Sequence, residues 1–195
     1  MSDYFKGSYT AIETDYDYEH VVRGGLTFTS PSVKTFQAYQ PEQPLVLKKG
    51  EGARLWDVNG KPYVDLMAQN LCISVGYNHP LVNGEVKKQM DMLTHSTAMY
   101  VHPVPVHYAR ELAARFPDSD QWVVQLVNSG AEAVDVALMM ARLYTGNLDI
   151  IALRTCYHGV QGGALSVSGM HIFRQPVPLD FGVHHVANPH PYRGI

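Results

Sequence analysis

The stretch Val123–Gly159 constrains the fold most. Trp122–Val127 is a mostly apolar run that lacks the alternation of a half-exposed strand, which predicts a strand buried on both faces, as in a parallel sheet. A small-residue turn, Ser129-Gly130-Ala131, follows. Gly130–Tyr144 is apolar around most of its circumference and predicts a buried helix. Thr145-Gly146-Asn147 closes that helix, with Gly146 placed for a left-handed cap. Ile150–Leu153 reads as a second buried strand and leads into Tyr157-His158-Gly159. Two such strands joined by a helix predict a right-handed βαβ unit and place the chain in the α/β class.

The flanking segments are less regular. Met1–Pro41 has no sustained period and reads as an N-terminal arm with one short helix near Tyr16–Val22. Leu45–Asp65 reads as strands around Asn59-Gly60, a hairpin signal whose type I′ turn needs positive φ at both residues. Leu66–His79 is a loop or short strand, and Pro80 fits the first turn of a helix over Leu81–Leu93. Ser96–Val106 is broken by Pro103 and Pro105 ahead of an amphipathic helix, Val106–Phe116. His184-His185-Val186 suggests a third strand before a proline-rich end.

Composition narrows the function. With 46% hydrophobic and 17% charged residues, the chain suits a soluble globular protein. A net charge of −3 argues against a nucleic-acid surface, and no apolar run is long enough to predict a membrane span. Cys72 and Cys156 are expected to be reduced, mostly buried thiols. Asp3, Glu13, Asp15, Asp17 and Glu19 fit neither a secretory signal nor a mitochondrial presequence, so the default location is cytoplasmic, with the mitochondrial matrix as the alternative. His184, His185 and His190 lack a second ligand cluster at metal-site spacing, so no metal is expected.

Ser129-Gly130-Ala131 sits where a strand feeds a helix. The first N–H groups of a helix have no internal partner and carry partial positive charge, so a small-residue turn there suits a phosphate. A ligand-free alternative exists, because Ser129 and Glu132 also fit a capping box. Tyr157 follows the next strand, where open parallel sheets bind ligands, and its ring can lie against a flat ligand or pack within the protein.

Several motifs together carry a resemblance. Asn128-Ser129-Gly130-Ala131-Glu132-Ala133, Tyr144-Thr145-Gly146 and Tyr157-His158-Gly159 resemble the pyridoxal-phosphate-dependent class III aminotransferases, of fold type I. Upstream, Gly52–Asp65, Gly76-Tyr77-Asn78-His79-Pro80 and His95-Ser96-Thr97 with Tyr100 agree in order and spacing. Asp149–Gly159 with Asn188-Pro189-x-Pro191-Tyr192-Arg193-Gly194 is similar to the alanine–glyoxylate branch, and the resemblance covers about residues 40–195.

The resemblance implies that Ser129, Gly130 and Ala131 hold the phosphate of pyridoxal 5′-phosphate, that Tyr157 stacks on its ring and that His158 shapes the adjoining loop. It puts Asn70 and Tyr100 near the substrate. It also implies transfer of an amino group from an amino acid such as alanine to a 2-oxo acid such as glyoxylate, usually by a homodimer. The family's cofactor-binding lysine lies beyond the Tyr-His-Gly loop, whereas Lys6, Lys34, Lys48, Lys49, Lys61, Lys87 and Lys88 all precede it. No catalytic residue is therefore assigned, and the chain is expected to be an N-terminal portion, inactive alone. The implied organisation is an arm over 1–41, part of a small domain over 42–100 and the first part of the cofactor-binding domain over 101–195. The alternatives are an aminomutase or decarboxylase of the same family and a non-catalytic polypeptide. Missing sheet partners would leave apolar edges exposed, so the isolated chain is expected to be marginally stable or aggregation-prone.

Overall fold

The computed structural model describes residues 18–19, 21–22, 44–174 and 181–192. Most of the expected arm over 1–41 lies outside the described residues. Tyr18, Glu19, Val21 and Val22 are helical, within the short helix predicted there. The chain forms two compact units, Met1–Ser96 and Thr97–Ile195.

In the first unit β1 (Leu47–Glu51), β2 (Arg54–Asp57) and β3 (Pro62–Val64) form an antiparallel sheet in sequence order. The hairpin stands where Asn59-Gly60 predicted it, but the turn is not type I′. Gly60 is left-handed, with φ of 82°, and Asn59 is not. The loop is Val58-Asn59-Gly60, closed by Asp57 N–H to the Lys61 carbonyl at 3.1 Å and Gly60 N–H to the Asp57 carbonyl at 3.0 Å. Asp57 explains the difference. Its Oδ1 accepts the N–H groups of Asn59 and Lys61 at 2.9 Å each, which favours a three-residue turn ending in a left-handed glycine. Oδ2 accepts the Tyr63 hydroxyl at 3.0 Å. Burial pushes the Asp57 carboxyl up, but these hydrogen bonds outweigh it and hold the group below its ordinary value.

Beyond β3, Asp65 organises the chain. Its Oδ1 accepts the N–H groups of Met67 and Ala68 at 2.9 Å each, and Tyr77 donates its hydroxyl to Oδ2. The Tyr77 bond is the main reason that the Asp65 carboxyl is held low. Tyr77 lies on Gly50, where an added Cβ would come within 2.7 Å of the ring. Ala68–Leu71 makes one helical turn in which all four residues have positive φ, between 50° and 67°. Helix α1 (Pro80–Met92) starts as predicted, with His79 at its cap and Pro80 in its first turn. Its apolar residues Leu81, Val82, Val86 and Met90 are exposed.

In the second unit α2 (Pro103–Ala113) begins earlier than expected. Pro103 and Pro105 open the helix instead of breaking it, because first-turn residues need no internal donor. His102 Nδ1 accepts the Val104 N–H at 3.2 Å and caps that turn.

Trp122–Val127, expected to be a buried strand, forms neither strand nor helix, and Val123 is 95% exposed. An apolar run becomes a strand only where a neighbour supplies its ladder, and among the described residues none does. Helix α3 (Gly130–Thr145) forms as predicted and ends on left-handed Gly146, with φ of 70°. It contains no buried residue, contrary to the expectation, because nothing among the described residues covers Met139, Met140, Leu143 and Tyr144.

β4 (Ile150–Leu153) pairs in parallel with β5 (Val183–Val186), in register from Ile150 with Val183 to Leu153 with Val186. The connection includes α4 (Gly162–Val167). The observed parallel pair is thus formed across α4, and not across α3 as predicted. β4 is not buried on both faces: Ala152 is 7% exposed and Ile151 is 74% exposed. Ala152, Ala164, Val167, Ser166 and Ser168 are buried in this unit, together with Ala113 of α2. Cys156 is half-buried, but Cys72 is exposed, against the expectation of two mostly buried thiols. Among the described residues no helix is long and apolar enough to cross a membrane.

Candidate functional site

The site is built on the first turn of α3. Ser129 is extended, and its Oγ accepts the Glu132 N–H at 3.2 Å. Glu132 Oε2 accepts the Asn128 N–H at 2.7 Å, one residue before the position that a standard capping box would satisfy. The N–H groups of Gly130 and Ala131 belong to the helix's first turn, where no intrahelical acceptor exists. A Cβ added at Gly130 would meet nothing within 4 Å, so there is open space beside this turn. Unsatisfied donors, an adjacent hydroxyl and open space suit a phosphate group, with the Glu132 carboxylate an unfavourable charge nearby.

The loop after β4 comes back to this turn. Gly159 has φ of 141°, and a Cβ there would stand 2.8 Å from Ala131 Cβ and 3.0 Å from Ala164 Cβ. A side chain at this position would therefore separate the loop from α3. On the same loop, Tyr157 is 52% exposed and packs against Phe173 with ring centroids 4.6 Å apart at a tilt of 53°. One side of the ring is thus committed to the protein, while half its surface stays accessible. The His158 N–H donates to Ser168 Oγ at 2.9 Å.

Residues that sequence reasoning did not assign to the site hold these pieces. Asp135, one turn beyond Ala131 in α3, accepts the Ala164 N–H on Oδ1 at 2.7 Å and docks α4. Gly162 permits that approach, since a Cβ there would lie 2.6 Å from Asp135 Oδ2. Asn188 Oδ1 accepts the Thr155 N–H at 2.9 Å and ties the exit of β5 to the exit of β4. Ser168 has no exposed surface. The available signals were a carboxylate beyond the first turn of a mostly apolar helix, and a serine within the run Ser166–Gly169.

Ser129, Gly130, Ala131, Tyr157 and His158 are therefore brought into one neighbourhood by contacts between their segments. Tyr100 is 69% exposed, and among the described residues no hydrogen bond or ring contact joins it to either segment. Asn70 belongs to the first unit, where it is exposed in the left-handed turn. The three histidines weighed for a metal are apart in role. His184 Nε2 lies 3.5 Å from Asp149 Oδ2, and His190 Nδ1 accepts the Tyr192 N–H at 3.2 Å. Among the described residues no group of three or more His, Cys, Asp or Glu side chains could hold a metal.

Comparison with known proteins agrees with this architecture. The family model described as aminotransferase class-III matches residues 36–193. Over 168 residues the chain is 38% identical to the mitochondrial alanine–glyoxylate aminotransferase 2 homolog 2 of Arabidopsis thaliana, covering 86% of this chain and 34% of that protein. An (S)-enantioselective omega-transaminase from Thermomicrobium roseum superposes with a TM-score of 0.79 at 28% identity, over 91% of this chain and 42% of its own. The taurine:2-oxoglutarate aminotransferase of Bifidobacterium kashiwanohense, solved in complex with PLP and glutamate, gives a TM-score of 0.75 at 25% identity, over 91% of this chain and 39% of its own. The chain spans roughly a third of the length of the curated relatives it matches and carries a partial fold type I architecture. With the family model covering most of its length, this protein belongs to the class-III aminotransferase family.

Proposed function

We propose that this chain supplies the phosphate-binding turn and the ring-side loop of a pyridoxal 5′-phosphate-dependent transaminase. The substrates would be an amino acid such as alanine and a 2-oxo acid such as glyoxylate, as the name of the Arabidopsis relative suggests. The observation that carries this reading is the contact of Gly159 with Ala131, which sets the Tyr157 loop beside the open N-terminus of α3. The Gly130 and Ala131 N–H groups and the Ser129 hydroxyl would receive the phosphate. Tyr157 would face the ring with its accessible side, and His158 would fix the loop through its backbone. Asn70 and Tyr100 are proposed on the substrate side by family resemblance alone.

When bound, the cofactor supplies an electron sink at the substrate's α-carbon. The residues of this chain bind and orient it. No lysine of this sequence follows Tyr157, so we assign proton transfer to none of its residues. The second reading is a polypeptide that binds the cofactor without turning it over. A homodimer is proposed for the assembled enzyme. The mitochondrial label of the relative favours the matrix over the cytoplasm.

The test is titration of the chain with pyridoxal 5′-phosphate, followed by absorbance with and without borohydride and by competition with inorganic phosphate. Saturable binding that phosphate displaces is expected, and Gly159→Ala should weaken it more than about tenfold by pushing the loop off Ala131. No saturable binding by the wild-type chain would sink the proposal. Borohydride-fixed cofactor on a specific lysine would overturn the non-catalytic reading.

A further inference from the structure

Ser168 is a polar side chain with no exposed surface, and the family resemblance assigns it no role. Its hydroxyl accepts the His158 N–H at 2.9 Å and lies 2.9 Å from the Gly159 carbonyl and 2.8 Å from the Ala164 carbonyl. A hydroxyl has one proton to donate. The Ala164 carbonyl already receives the Ser168 N–H at 3.1 Å, so donation to Gly159 satisfies an additional acceptor. A serine back-bonded within its own helix would need only the Ala164 contact. The bonds to His158 and Gly159 reach across ten and nine residues to the loop beside Tyr157.

We propose that Ser168 is the positioning residue of the ring-side loop. By holding the peptide groups of His158 and Gly159 together, it keeps Gly159 against Ala131 and sets the spacing between the Tyr157 ring and the phosphate-binding turn of α3. The proposal rests on the pyridoxal-phosphate reading above for the identity of the ligand, and on the hydrogen-bond geometry alone for the clasp. Asp135 supports it from the other side by fixing the N–H of Ala164 to α3. Removing the Ser168 hydroxyl leaves the buried Gly159 carbonyl and the His158 N–H without this partner while leaving the N-terminus of α3 unchanged. Ring and phosphate binding should therefore separate.

The test uses the full chain as wild type, Ser168→Ala and Val167→Ala. Val167 is 4% exposed, so its truncation destabilises the same unit without touching the clasp. Ser168→Ala should speed hydrogen exchange at the His158 amide and raise the dissociation constant for pyridoxal 5′-phosphate about tenfold. Binding of inorganic phosphate should change by less than about twofold, since its donors, the Ser129 hydroxyl and the first N–H groups of α3, lie outside the clasp. Val167→Ala should lower the melting temperature but keep both affinities and the slow His158 exchange. Unchanged His158 exchange in Ser168→Ala would overturn the proposal. So would an equal loss of both affinities, or the same pattern in Val167→Ala. If the wild-type chain binds no pyridoxal 5′-phosphate, the cofactor assignment falls separately, and His158 exchange alone decides the clasp.

Discussion

At the β2–β3 turn, backbone groups find partners within four residues, and the Asp57 side chain supplies two of the acceptor positions. The stretch from Trp122 to Val127 is more apolar than the hairpin, yet no strand among the described residues pairs with it. What separates the two segments is where their partners must come from. An antiparallel hairpin carries its partner a short loop away, whereas a parallel strand depends on a segment a crossover away. Local sequence can therefore complete the first and only prepare the second.

Three substitutions or conditions sharpen that contrast. The largest effect is expected in the hairpin. Leu55 is 9% exposed in β2, and Leu55→Ala should cost about 3 kcal/mol, read as a lower denaturation midpoint of the first unit. A loss below about 1 kcal/mol would mean that the sheet has no real core of its own.

The next effect is a pH dependence. The Asp57 carboxyl is held below its ordinary value of 3.8, so its folded form binds protons less readily than its unfolded form. Its contribution to stability is complete above that ordinary value and is lost as pH falls through the lowered one. Asp57→Asn should flatten this acid limb in a melting-temperature profile between about pH 5 and pH 2. An identical acid limb in the variant would show that the hairpin hydrogen bonds contribute nothing to it.

The smallest effect is expected at Val123, which is 95% exposed. Val123→Ser should change stability by less than about 0.5 kcal/mol and reduce light scattering on concentration. A loss of 2 kcal/mol or more, about the scale of a buried valine, would mean that this segment has a partner after all.

The same distinction explains what could be read from the sequence. Pro80 and Gly146 announce helix ends through their own backbone chemistry, and both stand where expected. β4 and β5 announced themselves as short runs rich in β-branched residues. The type of the Asn59-Gly60 turn was not legible, because Asp57 two residues earlier decides it with its carboxylate. The burial of α3 was misjudged because an apolar circumference states what a helix could bury and not what is there to cover it. Within the candidate site, the open helix start at Ser129-Gly130-Ala131 was visible locally. Ser168 and Asp135 were not, since each acts on a loop or helix that only the fold brings within reach.

The clasp also dictates an order of assembly. Asp57 meets its turn partners two and four residues along the chain. His158 waits for Ser168 at a separation of ten, Ala164 meets Asp135 across 29, and Thr155 meets Asn188 across 33. Closing longer loops costs more entropy, and contacts between distant residues slow folding. The hairpin should thus be in place well before the ring-side loop is held. In a chain growing from its N-terminus, Tyr157 emerges before the serine that fixes its neighbours and well before the asparagine that closes β4 onto β5, so the candidate site is among the last parts of the second unit to become competent.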